Sequence, residues 1–225
     1  MLQLIKDQNR HQETLFLLFS VLVCFGLSVF RIAYSDTRMF LFLNWNLFLA
    51  VIPWLFTSIA ISFPKVYNNR VFVISLTVLW LLFFPNAPYI LTDLFHLRLN
   101  STMPIWFDLV LILSFAWVGL FVGFLSLWDI EKIIVSTFKF KYPKILSTIL
   151  LFLTSFGIYL GRFLRWNSWD VISQPSQLIF DITTRILHPF HHPTTWGVTL
   201  FLGVFLNLAY WSFRFLGDRF NNSIV

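Results

Sequence analysis

The sequence predicts an all-α fold, a polytopic membrane helical bundle of about six transmembrane helices with short interfacial helices beside them. Three observations carry this. Hydrophobic residues make up 58% of the 225-residue chain and charged residues only 12%, whereas a soluble domain holds about 25% charged residues. Mean hydropathy is +0.77. The apolar residues collect into six stretches, near 14–34, 39–63, 71–90, 104–128, 145–164 and 196–216. A bilayer core takes roughly 20 helical residues. Four of the stretches reach that within apolar sequence, and the third and fifth reach it only by running on into polar residues. Residues 1–225 therefore read as a single integral membrane domain.

The first span is followed by Arg31 and Asp36 and lacks a small-x-small cleavage pattern, so it reads as a retained helix rather than a signal peptide. It holds the single cysteine, Cys24, which leaves no disulfide framework and reads as a buried thiol. The second span opens with "NWNLFLA" (44–50). Asn44 and Asn46 are two apart, so they point to different helix faces and at most one serves the bundle interior.

The third span ends in "FPNAPYILTDLFHL" (84–97). Pro85 cannot donate to a helix and pushes Phe84 out of the α region, so the helix should break there. Asn86 suits the N-cap of a new helix and Pro88 its first turn. Continued as an α-helix, that segment places Asn86, Tyr89, Asp93 and His96 on one face. Asp93, three residues before His96, can orient the imidazole, or both can reach one divalent metal ion. A polar face meeting only water is the plain alternative.

The fourth span starts at Pro104 and carries Asp108 in its first turn, where the helix dipole favours a carboxylate. Its depth calls for a buried partner, and Arg162 or Arg165 is the candidate. These two arginines belong to "GRFLRWNSWD" (161–170), which ends the fifth span. Three apart on a helical extension, they share a face that either pairs with Asp93, Asp108 or Asp170 or grips a phosphate or carboxylate. Asn167 and Asp170 in the same motif, with Asn44, Asn86 and Tyr89, complete the candidate ligand-binding set.

The fifth loop contains "PSQLIFDITTRIL" (175–187), which reads as an interfacial helix capped by Ser176, with Asp181 and Arg185 spaced to pair. "HPFHHP" (188–193) holds three of the five histidines and reads as a surface loop. "NST" (100–102) matches a glycosylation acceptor by a pattern common by chance. "WDIEKIIVSTFKFKYPK" (128–144) reads as a basic juxtamembrane segment drawn to anionic lipid.

The net charge of +6 has the same origin as that last segment. With both termini cytoplasmic, the inner segments hold Lys6, Arg10, Lys65, Arg70, Lys132, Lys139, Lys141, Lys144, Arg214 and Arg219. The outer ones hold Arg31, Arg38, Arg98, Arg162, Arg165 and Arg185. That is the positive-inside bias. It puts the polar motifs together at the outer end and leaves nothing comparable in the inner half. The bilayer absorbs the basic and aromatic residues, so nucleic acid binding finds no support. No phosphate-binding glycine loop, H-E-x-x-H, nucleophile elbow or internal repeat is present.

"PNAPYILTDLFHL", "GRFLRWNSWD" and "NWNLFLA" resemble a family of bacterial multi-span membrane proteins catalogued as domain of unknown function 1361. The similarity runs from about Asn44 to the sixth span. The resemblance implies a bacterial cytoplasmic (plasma) membrane protein whose signature residues lie in those three motifs, and it brings no reaction with it. Three functions stay open. One is a membrane-embedded enzyme acting on an envelope or lipid-linked substrate, with His96 as base or metal ligand, Asp93 orienting it, Asp108 as second ligand or acid, and Arg162 and Arg165 as anion clamp. The others are a transporter or solute-binding membrane subunit, and a structural or assembly subunit locked by ion pairs.

Overall fold

The computed structural model describes residues 2–63, 69–97 and 102–222. Lys65, Arg98 and the first two residues of the "NST" triplet lie outside them. The chain is helical with no strand among the described residues. Its helices are α1 (Leu2–Ser35), α2 (Phe42–Ser62), α3 (Arg70–Phe83), α4 (Asn86–Tyr89), α5 (Ile105–Phe138), α6 (Pro143–Phe163), α7 (Asp170–Ser173), α8 (Pro175–Leu187) and α9 (Pro193–Asn222). Six spans among the described residues are long and apolar enough to cross a membrane: Arg10–Ser35, Phe42–Ser62, Arg70–His96, Ile105–Phe138, Pro143–Phe163 and Pro193–Gly217. The protein is a multi-pass membrane protein.

Two compact units divide the chain. Unit 1 comprises Met1–Val51 and Asn86–Val122, and unit 2 comprises Ile52–Pro85 and Gly123–Val225. In unit 1 the first turns of α5 carry buried Phe107, Leu111, Ile112 and Phe115, and Phe107 packs on Phe30 of α1. In unit 2 the buried stripe of α6 runs through Ser147, Leu150, Leu151, Thr154, Ser155, Ile158 and Tyr159. A Cβ added at Gly203 of α9 would meet the Phe152 ring of α6, so the two helices lie close there.

The structure corrects three local expectations. The third span is interrupted at Pro85, yet Phe84 keeps α-helical angles, φ −57° and ψ −37°. Packing overrides the pre-proline preference: Phe84 is fully buried, stacks on Trp80 at 4.2 Å, and donates its N–H to the Trp80 carbonyl at 2.7 Å. Beyond α4 the chain tightens into a 3₁₀ segment, Ile90–His96, in place of a continued α-helix. At three residues per turn it aligns Ile90, Asp93 and His96, so the four-residue α-helical face anticipated from Asn86 does not form.

Helix α5 continues ten residues past 128, and its carboxylates Asp129 and Glu131 are buried. Helix α8 starts with Pro175 at its first position, and Gln174, not Ser176, occupies the cap without a side-chain bond.

Candidate functional site

Unit 1 gathers the polar groups of "NWNLFLA" and "PNAPYILTDLFHL". Asp108 enters at the start of α5, where the Phe107 N–H reaches the Pro104 carbonyl at 2.9 Å. Its side chain is sealed from solvent and meets Arg31 of α1, also sealed. Arg31 Nε donates to Asp108 Oδ1 at 2.7 Å and Nη2 to Oδ2 at 3.3 Å. Nη1 donates to Thr37 Oγ1 at 2.9 Å, and the guanidinium lies 4.6 Å over the Phe40 ring. This is the side-on fork geometry that makes arginine–carboxylate pairs strong. The expected partner for Asp108 lies on the fifth span; the structure supplies Arg31 instead, one of the cations that the charge pattern assigns to the outer segments.

Asp93, only 1% exposed, lies in the 3₁₀ segment. Its Oδ2 accepts a hydrogen bond from Asn46 Nδ2 at 2.8 Å. Asn44 donates instead to Ser28 Oγ of α1 at 2.8 Å and to the Leu41 carbonyl at 3.2 Å. The two asparagines diverge, yet both serve the interior of unit 1, against the expectation that at most one would: Asn44 reaches α1, and Asn46 rather than Asn44 reaches the site carboxylate. His96 is exposed at the end of the 3₁₀ segment, with its ring edge-on to Phe42 at 5.3 Å. Asn86 and Tyr89 are half-buried on either side of buried Ala87 and Pro88. The backbone of this segment lies against α5: a methyl group at Gly119 would sit 2.7 Å from the Ala87 carbonyl oxygen.

Unit 2 holds the second motif. Arg162 is half-buried in the last turn of α6. Arg165 is exposed and adopts a left-handed conformation, φ +63°. The chain turns back there, and the Trp166 N–H reaches the Leu160 carbonyl at 3.2 Å. The helical extension that would align Arg162 with Arg165 is therefore absent, because the helix closes between them. Asn167 and Asp170 satisfy each other: Asp170 Oδ2 accepts from the Asn167 N–H at 2.7 Å and from its Nδ2 at 3.1 Å, and Oδ1 accepts from Ser173 at 3.0 Å. The Asn167 backbone N–H, followed by the Asn167 and Ser173 side chains, holds the Asp170 carboxyl below the usual carboxylate range.

Ser168 donates to the Leu82 carbonyl at 2.9 Å, tying this loop to the end of α3. Trp166 Nε1 donates to Asp181 at 2.9 Å, and Arg185 pairs with Asp181 at 3.0 Å as its spacing predicts.

The half anticipated to be featureless has its own buried cluster. Glu131 of α5, 3% exposed, accepts from Tyr210 Oη at 2.9 Å and from Arg214 Nη1 at 2.7 Å, both on α9. Asp129 lies 3.4 Å from Thr57 Oγ1, and Trp80 Nε1 donates to Ser126 at 3.2 Å. The W-D-I-E run had looked like a juxtamembrane surface; a tyrosine and an arginine four apart on the last span are the signal that points to its partners.

Among the described residues no group of three or more histidine, cysteine, aspartate or glutamate side chains is arranged to hold a metal ion. His96, Asp93 and Asp108 are thus not gathered as one ligand set.

Residues 45–209 match the family model described as Protein of unknown function (DUF1361). No curated protein and no solved structure matches the chain. Asn46, Asp93, His96, Asp108, Arg162 and Glu131 fall inside the matched residues, while Arg31 and Arg214 fall outside them.

Proposed function

The chain belongs to the DUF1361 family, and we propose that it is an integral membrane enzyme acting on an envelope or lipid-linked substrate through a proton-transfer site in unit 1. One observation carries this reading. The buried Asp93 carboxylate, held by Asn46 at 2.8 Å, sits one 3₁₀ turn before the exposed His96. A carboxylate kept at membrane depth is costly and is retained where it works. An imidazole at the accessible end of the same turn can take or give a proton near neutral pH.

Asn46 then positions the carboxylate, and His96 is the group that meets substrate. Asp108, already gripped by Arg31, shapes the unit rather than reacting. Arg162 and Arg165 belong to unit 2 and are a candidate anion-gripping pair separate from the unit 1 site, each tested on its own because they no longer share a helix face. The cation bias along the chain supports cytoplasmic termini, and the family resemblance supports a bacterial cytoplasmic membrane.

The interruption of the third span at Pro85 favours a second reading, a solute transporter whose binding group is Asp93. Membranes from cells making wild type, His96→Ala, His96→Gln or Asp93→Asn at matched protein levels separate the two. Their lipids and lipid-linked saccharides are profiled by mass spectrometry beside a null strain. A species that changes with wild type and reverts in the His96 variants supports the enzyme. Solute accumulation lost in Asp93→Asn with an unchanged lipid profile supports the transporter. No difference in either readout rejects both.

A further inference from the structure

A second surface lies in unit 2, on the Glu131 side of α5, and the function proposed above does not use it. Lys132 Nζ stands 4.6 Å over the Trp128 ring, and the Arg214 guanidinium lies 5.0 Å from the same ring. Two cations thus share one indole. A third, Lys144 at the start of α6, lies 5.8 Å over Trp211 of α9, and Trp211 is three residues before Arg214. These contacts bring α5, α6 and α9 together around a cationic and aromatic patch.

The charge there is not balanced. Segments 128–144 and 210–219 carry Lys132, Lys139, Lys141, Lys144, Arg214 and Arg219 against Asp129, Glu131 and Asp218, six cations to three carboxylates. Among the described residues Glu131 takes its side-chain bonds from Tyr210 and Arg214 Nη1, and Arg214 Nε has no hydrogen-bond partner.

The segment joining α5 to α6 has a matching composition. Phe138, Phe140 and Tyr142 are 38%, 40% and 63% exposed and alternate with exposed Lys139 and Lys141. Aromatic rings settle at the headgroup level of a bilayer while lysines reach its phosphates. Clustered cations between transmembrane helices take acidic headgroups.

We infer that Trp128, Lys132, Lys144, Trp211 and Arg214 form a headgroup site for an anionic phospholipid, with Lys132 and Lys144 contacting its phosphodiester and the indoles flanking its glycerol. Lys132 and Lys144 are exposed, and the Glu131 bonds come from Tyr210 and Arg214, so changing the two lysines leaves those donors in place. The full chain is purified in detergent, and native mass spectrometry follows titration with phosphatidylglycerol, with phosphatidylcholine and with inorganic phosphate.

The expected result is at least fivefold tighter retention of phosphatidylglycerol than of phosphatidylcholine. Lys132→Gln/Lys144→Gln should lower that preference to below twofold while the protein stays folded in lipid-free detergent, with a melting temperature lowered only slightly by loss of the two cation–aromatic contacts. Equal retention of the two lipids in wild type, or a preference that survives in the double variant, overturns the site. Equal saturation by inorganic phosphate at the same concentration overturns the lipid assignment. The readout does not involve His96 or Asp93, so it stands or falls apart from the enzymatic reading.

Discussion

Arg31 and Asp108, 77 residues apart in sequence, bind each other by two hydrogen bonds of 2.7 and 3.3 Å with both side chains closed to solvent. Removing one member strands the other's charge, which costs about 3–5 kcal/mol in buried pairs. Arg31→Met and Asp108→Leu should each lower the apparent melting temperature of the detergent-purified protein sharply. Combining them should restore most of the loss, because two apolar side chains leave no orphaned charge. A double variant no better than the worse single would show that Thr37 and Phe40, not the ion pair, hold this part of unit 1.

The sequence showed where the spans lie because length and hydropathy are properties of single segments. The Arg31–Asp108 pair is not such a property. Each residue alone has an ordinary local explanation, an arginine near the end of a span and an acid in a first helical turn, and only the packing of α1 on α5 joins them. Asn46 was visible as a polar residue in an apolar helix, but no rule of spacing chose it over Asn44. The 3₁₀ winding of Ile90–His96 was hidden because, over seven residues, periods of 3.0 and 3.6 place side chains too similarly for the sequence pattern to separate them. Asp129 and Glu131 were misplaced for a related reason. Charge in a sequence reads as solvent exposure until the distant partner, here Arg214, is known.

Gly119 separates close packing from helix propensity. A methyl there would lie 2.7 Å from the Ala87 carbonyl oxygen, a backbone atom that can move only with α4. Gly119→Ala should cost about 1–3 kcal/mol as an overpacked site. Gly26 of α1 has nothing within 4 Å of an added methyl, so Gly26→Ala should gain up to about 1 kcal/mol from helix propensity alone. Thermal unfolding of both variants beside wild type checks the contrast, and equal effects would mean that α4 gives way freely.

Glu131 has two donors of unequal weight. Tyr210→Phe removes one neutral donor to a carboxylate and should cost about 1.5–3 kcal/mol. Arg214→Ala leaves the carboxylate without its cation and should cost about 3–5 kcal/mol. If Glu131→Gln largely removes the penalty of Arg214→Ala when the two are combined, the carboxylate charge is the cause. If the penalty stays, the loss comes from the contact of Arg214 with Trp128.

Asp170 sets a pH dependence outside the spans. Its carboxyl is held below the usual range by the Asn167 N–H and by the Asn167 and Ser173 side chains. A lowered folded-state value means the folded loop favours the ionised form. The stabilisation is therefore fully present above the ordinary carboxylate value and disappears as pH falls through the lower folded value. Hydrogen exchange at Asn167 and Ser173 should be slower in wild type than in Asp170→Asn at neutral pH. The two should converge under acid conditions, and a difference that persists there would assign the protection to something other than the carboxylate charge.

Arg165 is the residue at which structure and proposed function pull apart. Its left-handed backbone, φ +63°, is one that a β-carbon disfavours. Glycine is the usual residue at such a helix end, so Arg165→Gly should raise stability by about 0.5–1 kcal/mol. An arginine kept at that backbone cost needs a reason in its side chain. If the guanidinium grips an anionic substrate, Arg165→Gly gives a more stable protein that has lost the phenotype restored by wild type. Arg165→Lys, in the same backbone, retains it only in part, because the ammonium cannot form the two-pronged contact. Melting temperature and complementation measured on the same three proteins decide the matter. A glycine variant that is both more stable and fully active would show that the Arg165 side chain grips no anionic substrate.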